Sequence, residues 1–342
     1  MAPFDRYDVV RSSIVLVGLL VVWIGARAVT SETTLRDLRD ISAALADVRA
    51  QQARLAQASD QQQALLLKLE ALQSDRLLSD MRTPAYSAEG AALFAKAMKV
   101  DCRTFAQPRS AVILILGQSN AGNYGEGRSP NNHGADVANY FGQQCAVAAE
   151  PLMGSDGNGG SPWMALANTT LEAKVFDRVL LVPLTLGGTG MTRWNAGGDL
   201  YMLAESTLRR LARSGIPPTH VFWVQGEAER FDGSRYRRNG GADYFDGLQA
   251  IVNLVRRYSQ AKVFVSPTSS CRGEERGPAP EIRWAQTEIV RENSGVVFSG
   301  PDLDAIDLPE QRTATCHLSE AGMKAFVSGW HAAIQTVEPA AK

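Results

Sequence analysis

Two side chains that lie far apart in the chain have the chemistry needed to hydrolyse an ester. Ser119 follows an apolar stretch within the run GQSNAG, where its hydroxyl could act as a nucleophile and its backbone N–H could donate to an oxyanion. The run differs from the GxSxG elbow because Ala121 replaces the second glycine, and a serine that caps a helix explains the run equally well. His317, in the run CHLSEAG, is the best candidate for a general base, since the other three histidines are more readily explained as packed or solvent-facing.

Two further runs could supply the hydrogen-bond donors that an oxyanion needs. Gln225 in the run WVQGE offers a side-chain amide, and Glu227 in the same run offers a carboxylate. The run GGTGM contains Gly188, and its glycines let backbone N–H groups approach a ligand closely. No Lys-Ser/Thr pair follows, so a phosphate-binding loop is unsupported.

The order GQSN, GGTGM, WVQGE and CHLSEAG resembles that of the sialate O-acetylesterase-like branch of the SGNH hydrolases, which are carbohydrate esterases. The resemblance implies that Ser119 is the nucleophile and His317 the base, and that the oxyanion hole combines the N–H groups of Ser119 and Gly188 with the Gln225 amide. It also implies a three-layer α/β/α fold around a parallel sheet and an acetyl ester on a sugar as the substrate. The proposed acyl transfer requires no metal and no cofactor.

One position departs from the family pattern. The family usually carries an aspartate three residues before the histidine, and that position is Ala314 here. Loss of the acid that holds the imidazole costs a serine protease about 10⁴ in turnover. Glu227 is the first substitute that we expect, and Asp304 and Asp307 are alternatives on the same C-terminal loop as the histidine. A Ser-His dyad or a degraded enzyme is the remaining alternative.

The elements that must position these residues follow from short apolar runs after Pro84. Continuous apolar runs predict buried strands, and helical spacing between them predicts a doubly wound parallel sheet. Ligands bind such sheets beyond the carboxyl ends of the strands, where the chemical runs lie. The predicted strands are 112–116, 179–184, 221–224, 263–266 and 296–298, and helices are predicted at 203–214 and 244–258.

Residues 1–30 predict a membrane-targeting segment. Arg6 and Arg11 precede an apolar run over residues 14–25, which continues to Val29 with a single interruption at Arg27. An uncleaved transmembrane anchor is the preferred interpretation, and a signal peptide cleaved near the run ARA is the alternative. Either interpretation places the rest of the chain outside the cytoplasm, in the periplasm or at the cell surface.

Residues 31–82 predict one long helix ahead of an esterase domain at 83–342. The stretch from Thr34 to Met81 contains no glycine or proline, and apolar residues recur in it at a spacing of three and four. Glutamines interrupt the same seam, so a weak coiled coil that joins chains into a homo-oligomer and a single solvated helix both remain open. Pro84 marks the boundary, because the residue before a proline disfavours the helical conformation.

Charge and cysteine content limit the remaining choices. The 35 basic and 36 acidic residues give a net charge of −1, which argues against a nucleic-acid partner. Four cysteines outside the cytoplasm allow three disulfide connectivities. We expect Cys102 to pair with Cys145 and Cys271 with Cys316. The second disulfide would connect a loop after a strand to the loop that carries His317. Free buried thiols are the alternative.

Three functions are therefore in contention. A polysaccharide O-acetylesterase is the leading prediction, with an acetylated polysaccharide or glycan as its partner. An O-acetyltransferase that uses the same serine and histidine is the second, and a non-catalytic carbohydrate-binding envelope protein is the third. Trp163, Trp194 and Trp223 could stack on a sugar, although burial in the core explains them as well.

Overall fold

The protein is described by a computed structural model. None of the described helices is long and apolar enough to cross a membrane. The membrane-targeting segment predicted within residues 1–30 lies outside the described part of the chain. The structure describes residues 40–59, 61–62, 87–231, 235–271, 277–313 and 316–338.

The chain divides into two compact units, Met1–Leu66 and Leu67–Lys342. In the first unit, helix α1 spans residues 40–59, and residues 61–62 are also helical. Val48 and Leu55, two apolar residues of the predicted seam, have 49% and 70% of their surfaces exposed in the single chain. The remainder of the predicted long helix falls outside the described residues, so the coiled coil stays a prediction.

An eight-stranded sheet forms the centre of the second unit, in the order β1-β4-β3-β5-β2-β6-β7-β8. All five predicted strands are present, and the neighbours from β3 through β5, β2, β6 and β7 to β8 run parallel. The sheet is not parallel throughout, because β4 pairs antiparallel with both β3 and β1 at one edge. The strands are β1 (Lys99–Val100), β2 (Ser110–Gly117), β3 (Val137–Phe141), β4 (Gln144–Val147), β5 (Arg178–Thr185), β6 (His220–Val224), β7 (Lys262–Val265) and β8 (Val297–Ser299).

Helices cover both faces of this sheet, which explains why its central strands are apolar without alternation. Every residue of β2 is buried, and alternate side chains enter two separate hydrophobic cores. One core packs against α4, α5, α7 and α8, and the other against α3 and α9. The helices are α2 (Ala88–Lys96), α3 (Pro162–Glu172), α4 (Met191–Trp194), α5 (Asp199–Arg213), α6 (Ala228–Phe231), α7 (Ala242–Tyr258), α8 (Pro280–Glu292) and α9 (Glu320–Gln335).

The three tryptophans considered for sugar stacking belong to these cores. Trp163, Trp194 and Trp223 are each 0% exposed. The Trp163 ring packs beside Phe222 on one side of the sheet, and Trp194 packs edge-on against Trp223 on the other. Sugar stacking by these three side chains is therefore excluded in this structure.

Strand register brings the chemical runs to one edge of the sheet. Gly117 at the end of β2 aligns with Thr185 at the end of β5 and with Val224 at the end of β6. The runs GQSN, GGTGM and QGE leave the sheet directly after these residues. They therefore meet at the carboxyl edge, where ligands bind to parallel sheets.

Candidate active site

Ser119 lies in a tight turn made possible by a glycine. Gly117 has φ +147°, and a Cβ there would stand 2.0 Å from the backbone oxygen of Val224, so only glycine fits. The chain turns at once into a short 3-10 helix, Ser119–Ala121, in which Ser119 is 8% exposed. Gln118 occupies the cap position of this helix. Ser119 is thus not the capping serine that the run alone allowed.

His317 reaches the same edge on a short strand near the C-terminus. Strand β10 (His317–Leu318) pairs antiparallel with β9 (Arg312–Thr313) and packs against the turn that carries Ser119. Asn120, the neighbour of Ser119, donates from Nδ2 to the backbone oxygen of Cys316 at 3.2 Å. The structure therefore joins the two predicted blocks, although the described hydrogen bonds include none between the Ser119 hydroxyl and the imidazole. Catalytic hydrogen bonds are often long before substrate binds.

The surroundings of His317 favour the neutral imidazole. Burial lowers the pKa of His317, and the positive charge of Arg312 lowers it further. The Tyr124 ring lies beside the imidazole, with 4.8 Å between centroids and 35° between ring planes. A neutral imidazole can accept a proton at pH 7, which is what a general base requires.

The candidate acids make their hydrogen bonds elsewhere. Glu227 is 1% exposed and its Oε1 accepts from Asn120 Nδ2 at 2.7 Å, while burial raises the pKa of its carboxyl. Asp304 accepts from the Ser269 hydroxyl at 2.8 Å and from Arg283 at 2.9 Å. Asp307 is exposed. Glu227 thus reaches the histidine segment through Asn120, which contacts both the carboxylate and Cys316.

The predicted oxyanion donors differ in their accessibility. Gly188 has φ +68°, and no atom lies within 4 Å of where its Cβ would be, so its backbone faces open space. It lines a cleft of about 580 Å³ together with Tyr124, Asp156, Gly187 and Arg193. An oxyanion donor must be reachable by substrate, and Gly188 meets this requirement.

Gln225 is fully buried beneath this loop. Its Nε2 donates to the Thr189 backbone oxygen at 3.1 Å and to Glu229 Oε1 at 2.9 Å. An oxyanion role for Gln225 would therefore require one of these hydrogen bonds to be exchanged for substrate. That role stays a prediction.

A family model described as carbohydrate esterase, sialic acid-specific acetylesterase, matches residues 109–325. The chain belongs to this family. The matched residues include all four runs that carry the resemblance found in the sequence, and that recognition is confirmed. None of the curated proteins is a match.

Solved structures similar to this carbohydrate esterase family member include three with the following likeness. A protein from Arabidopsis thaliana has a TM-score of 0.52 at 20% identity, covering 68% of this chain and 100% of its own. NanS has a TM-score of 0.46 at 18% identity, covering 66% of this chain and 96% of its own. XAC1771, a carbohydrate acetylesterase from Xanthomonas citri, has a TM-score of 0.46 at 13% identity, covering 67% of this chain and 56% of its own. The second unit is an α/β fold with a mostly parallel sheet, and the Arabidopsis protein shares its fold.

Two disulfides brace the esterase fold. Cys102 pairs with Cys145, and Cys271 pairs with Cys316, as expected from the sequence. The second bond joins the segment after β7 to the residue that precedes His317. Arg312 adds a hydrogen bond of 2.7 Å to the Cys316 backbone oxygen. Cys316, the neighbour of His317, is thus held covalently as well as by hydrogen bonds.

Several polar residues of the esterase site were not anticipated from the sequence. Asn120 lies within the GQSN run, but nothing in the run shows that it links Glu227 to Cys316. Asp156 lies in a glycine-rich loop that reads most simply as a turn, and Tyr124 stands outside every recognised run. Their importance depends on contacts between distant segments. Only the order of glycines around Asp156 could have indicated a close backbone approach.

Proposed function

We propose that this protein is an extracytoplasmic carbohydrate O-acetylesterase that hydrolyses acetyl esters of a polysaccharide or glycan through an acyl-enzyme. The observation that carries the proposal is the packing of the strand bearing His317 against the turn bearing Ser119, beside an open glycine loop. Membership of a carbohydrate esterase family supports the substrate class. The two disulfides are compatible with a location outside the cytoplasm.

The reaction proceeds in two halves. His317 takes the hydroxyl proton while Ser119 Oγ attacks the acetyl carbonyl carbon, and the resulting oxyanion is met by the N–H groups of Ser119 and Gly188. When the bond to the sugar oxygen breaks, the imidazolium returns its proton to that oxygen and acetyl-Ser119 remains. Water then attacks the acetyl group with His317 again acting as base, which releases acetate and restores the serine. No redox partner enters either half.

The magnitudes favour this assignment of roles. A positioned general base contributes about 10² to 10⁴ in rate, and each oxyanion donor contributes about 10² to 10³. The lowered pKa of His317 keeps its base form populated at neutral pH. Glu227 remains the proposed acid, acting through Asn120, with Asp304 and Asp307 as the alternatives.

Acetate release from acetylated xylan and hydrolysis of 4-nitrophenyl acetate test this proposal directly. Ser119→Ala and His317→Ala should each lower kcat by at least about 10³-fold, because each removes one half of the nucleophile–base pair. Ser299→Ala, which alters an exposed serine outside the site, should retain wild-type activity. Full activity in Ser119→Ala would refute the serine mechanism.

The same assay separates the two other functions. An O-acetyltransferase would move acetyl groups to a sugar acceptor faster than to water, and would also lose activity in Ser119→Ala. A non-catalytic binding protein would show no turnover, and its affinity for glycan would be the same in the wild type and in Ser119→Ala. Hydrolysis that exceeds transfer supports the esterase.

A further inference from the structure

A buried carboxylate beside the cleft holds two parts of the candidate active site at once. Asp156 is 5% exposed, and its Oδ2 accepts hydrogen bonds from the Gly187 backbone N–H and from the Tyr124 hydroxyl, both at 2.8 Å. Gly187 directly precedes Gly188, the exposed residue whose N–H is the proposed oxyanion donor. Tyr124 lies against the His317 imidazole. One oxygen atom therefore connects the oxyanion loop to the residue that supports the base.

The backbone fixes this arrangement in place. Asn123 N–H donates to the Asp156 backbone oxygen at 3.0 Å, and the Asn123 backbone oxygen accepts from Gly159 N–H at 2.7 Å. Gly157 has φ +87°, and a Cβ there would stand 2.4 Å from the Asn123 oxygen. Glycine is therefore required at position 157 for the Asp156 loop to pack closely against the segment that carries Tyr124.

The described side-chain contact on the imidazole is the packed ring of Tyr124. In serine proteases, by contrast, a carboxylate accepts a hydrogen bond from the imidazole. Position 314 is alanine, and the described hydrogen bonds of Glu227 and Asp304 go to groups other than the imidazole. The Tyr124 ring packs against the imidazole, so it limits the rotation of His317 and contributes to the burial that lowers the pKa of His317. The Tyr124 hydroxyl bond to Asp156 keeps that ring in position.

We propose that Asp156 is a positioning residue that aligns the oxyanion loop through Gly187 and the catalytic base through Tyr124. This inference rests on the proposed esterase function and specifies how the site works without an acid three residues before its histidine. Asp156 does not touch the reacting atoms in this scheme. It acts through the two groups that do, the imidazole and the Gly188 N–H.

Graded variants test the role with 4-nitrophenyl acetate and the full-length protein. Asp156→Ala releases both Gly187 and Tyr124 and should lower kcat about 100-fold, the cost of a misplacement of about 1 Å. Tyr124→Phe removes only the hydroxyl bond and should lower kcat about three- to tenfold, with KM within about twofold. Asp156→Asn keeps an acceptor oxygen and should retain at least about a third of wild-type kcat.

Two further measurements distinguish a positioning role from general destabilisation. They are the kcat of the double variant and the pH dependence of the reaction. Once Asp156 is alanine, the additional Tyr124→Phe change should cost nothing more, because both changes break the same hydrogen bond. Tyr124→Ala lets water reach the imidazole, so the kinetic pKa of His317 should rise toward its ordinary value. The described charged or titratable groups that act on the imidazole are Tyr124, which packs against the ring, and Arg312 on β9. Three carboxyl groups are connected to it less directly: Asp156 through Tyr124, Glu227 through Asn120, and Glu126, whose backbone N–H donates to Leu318 on β10.

A matched control is available in Glu150, a second buried carboxylate. Glu150 is 6% exposed and accepts from Ser129 N–H and from the Ser161 hydroxyl, and it takes no part in the proposed site. Glu150→Ala should lower the melting temperature but leave kcat of the folded protein unchanged. A kcat within twofold of wild type in folded Asp156→Ala, or additive losses in the double variant, would overturn the inference. An active Ser119→Ala would instead overturn the proposed function itself.

Discussion

At the residue scale, the proposed mechanism depends on an imidazole that stays neutral. Burial and Arg312 both lower the pKa of His317, and the neutral form is the active one in that mechanism. We therefore predict that kcat/KM rises with pH through a pKa below the ordinary value of about 6.5 and is level above it. A pH–rate profile with a stable acetyl ester measures this rise of kcat/KM on the acid side. An acid limb centred above pH 6.5 would contradict the assignment of His317 as base.

Glu227 and Asp304 can be separated by paired substitutions. Glu227→Gln should lower kcat about 10- to 100-fold, less than the loss of about 10⁴ expected for an acid bonded directly to the imidazole. The loss is smaller because Glu227 acts through Asn120. Asp304→Asn should lower thermal stability with kcat unchanged, since Asp304 braces Ser269 and Arg283. Kinetics and melting curves of both variants measure the difference, with Asp307→Asn as the third candidate acid and Glu310→Gln as the exposed control. A larger kcat loss in Asp304→Asn would reverse the assignment.

At the element scale, the two disulfides can be compared directly, because one can serve as the control for the other. They close segments of 43 and 45 residues, so the loop-entropy model gives each about 4 kcal/mol of stability. Only the Cys271–Cys316 bond adjoins the strand that carries His317. Replacing either pair with serines should therefore cost similar stability, whereas only the Cys271/Cys316 variant should lose kcat at a temperature where both are folded.

Chemical denaturation and steady-state kinetics on the two variants check this prediction. Equal kcat in both double variants would show that the disulfide next to His317 has no part in placing the base. Unequal stability losses with equal kcat would point to local strain instead of loop entropy.

The sequence predicts the central elements well because their signal is local. Strands β2, β5, β6 and β7 come from largely continuous apolar runs, the sequence pattern typical of a strand covered on both faces. The β3–β4 hairpin was missed because its turn, Gly142 and Gln143 with φ +55° and +63°, lacks the usual Asn-Gly signature. The link between Asp156, Tyr124 and His317 could not be predicted, because it joins segments that meet only in the folded sheet.

At the scale of the whole molecule, the sheet and its two cores hold the chemical runs at one edge, while the C-terminal segment is held near the start of β6. Glu338 lies 3.4 Å from Nε2 of the buried His220 and forms an ion pair with Lys262. These contacts lower the pKa of Glu338 to about 2. Burial lowers the pKa of His220, so Lys262 supplies the positive charge at neutral pH.

Acid should therefore weaken the fold partly through Glu338. Its folded pKa lies below the unfolded value, so its contribution is complete above pH 4.5 and is lost as the pH falls toward 2. Because the pair is partly exposed, we expect only about 1 kcal/mol. Urea denaturation of Glu338→Gln should show this deficit at pH 7 and little deficit at pH 2.5. The exposed control Glu310→Gln should match wild type at both, and a deficit for Glu338→Gln that does not change with pH would contradict the electrostatic explanation.

The most direct test of the account is covalent labelling of the nucleophile. A fluorophosphonate reacts with a serine only where a base and an oxyanion hole activate it. We predict that the wild type gains one adduct by intact-mass spectrometry, that peptide mapping places it on Ser119, and that His317→Ala labels far more slowly. A folded wild-type protein that gains no adduct, or gains it on another serine, would contradict the central claim.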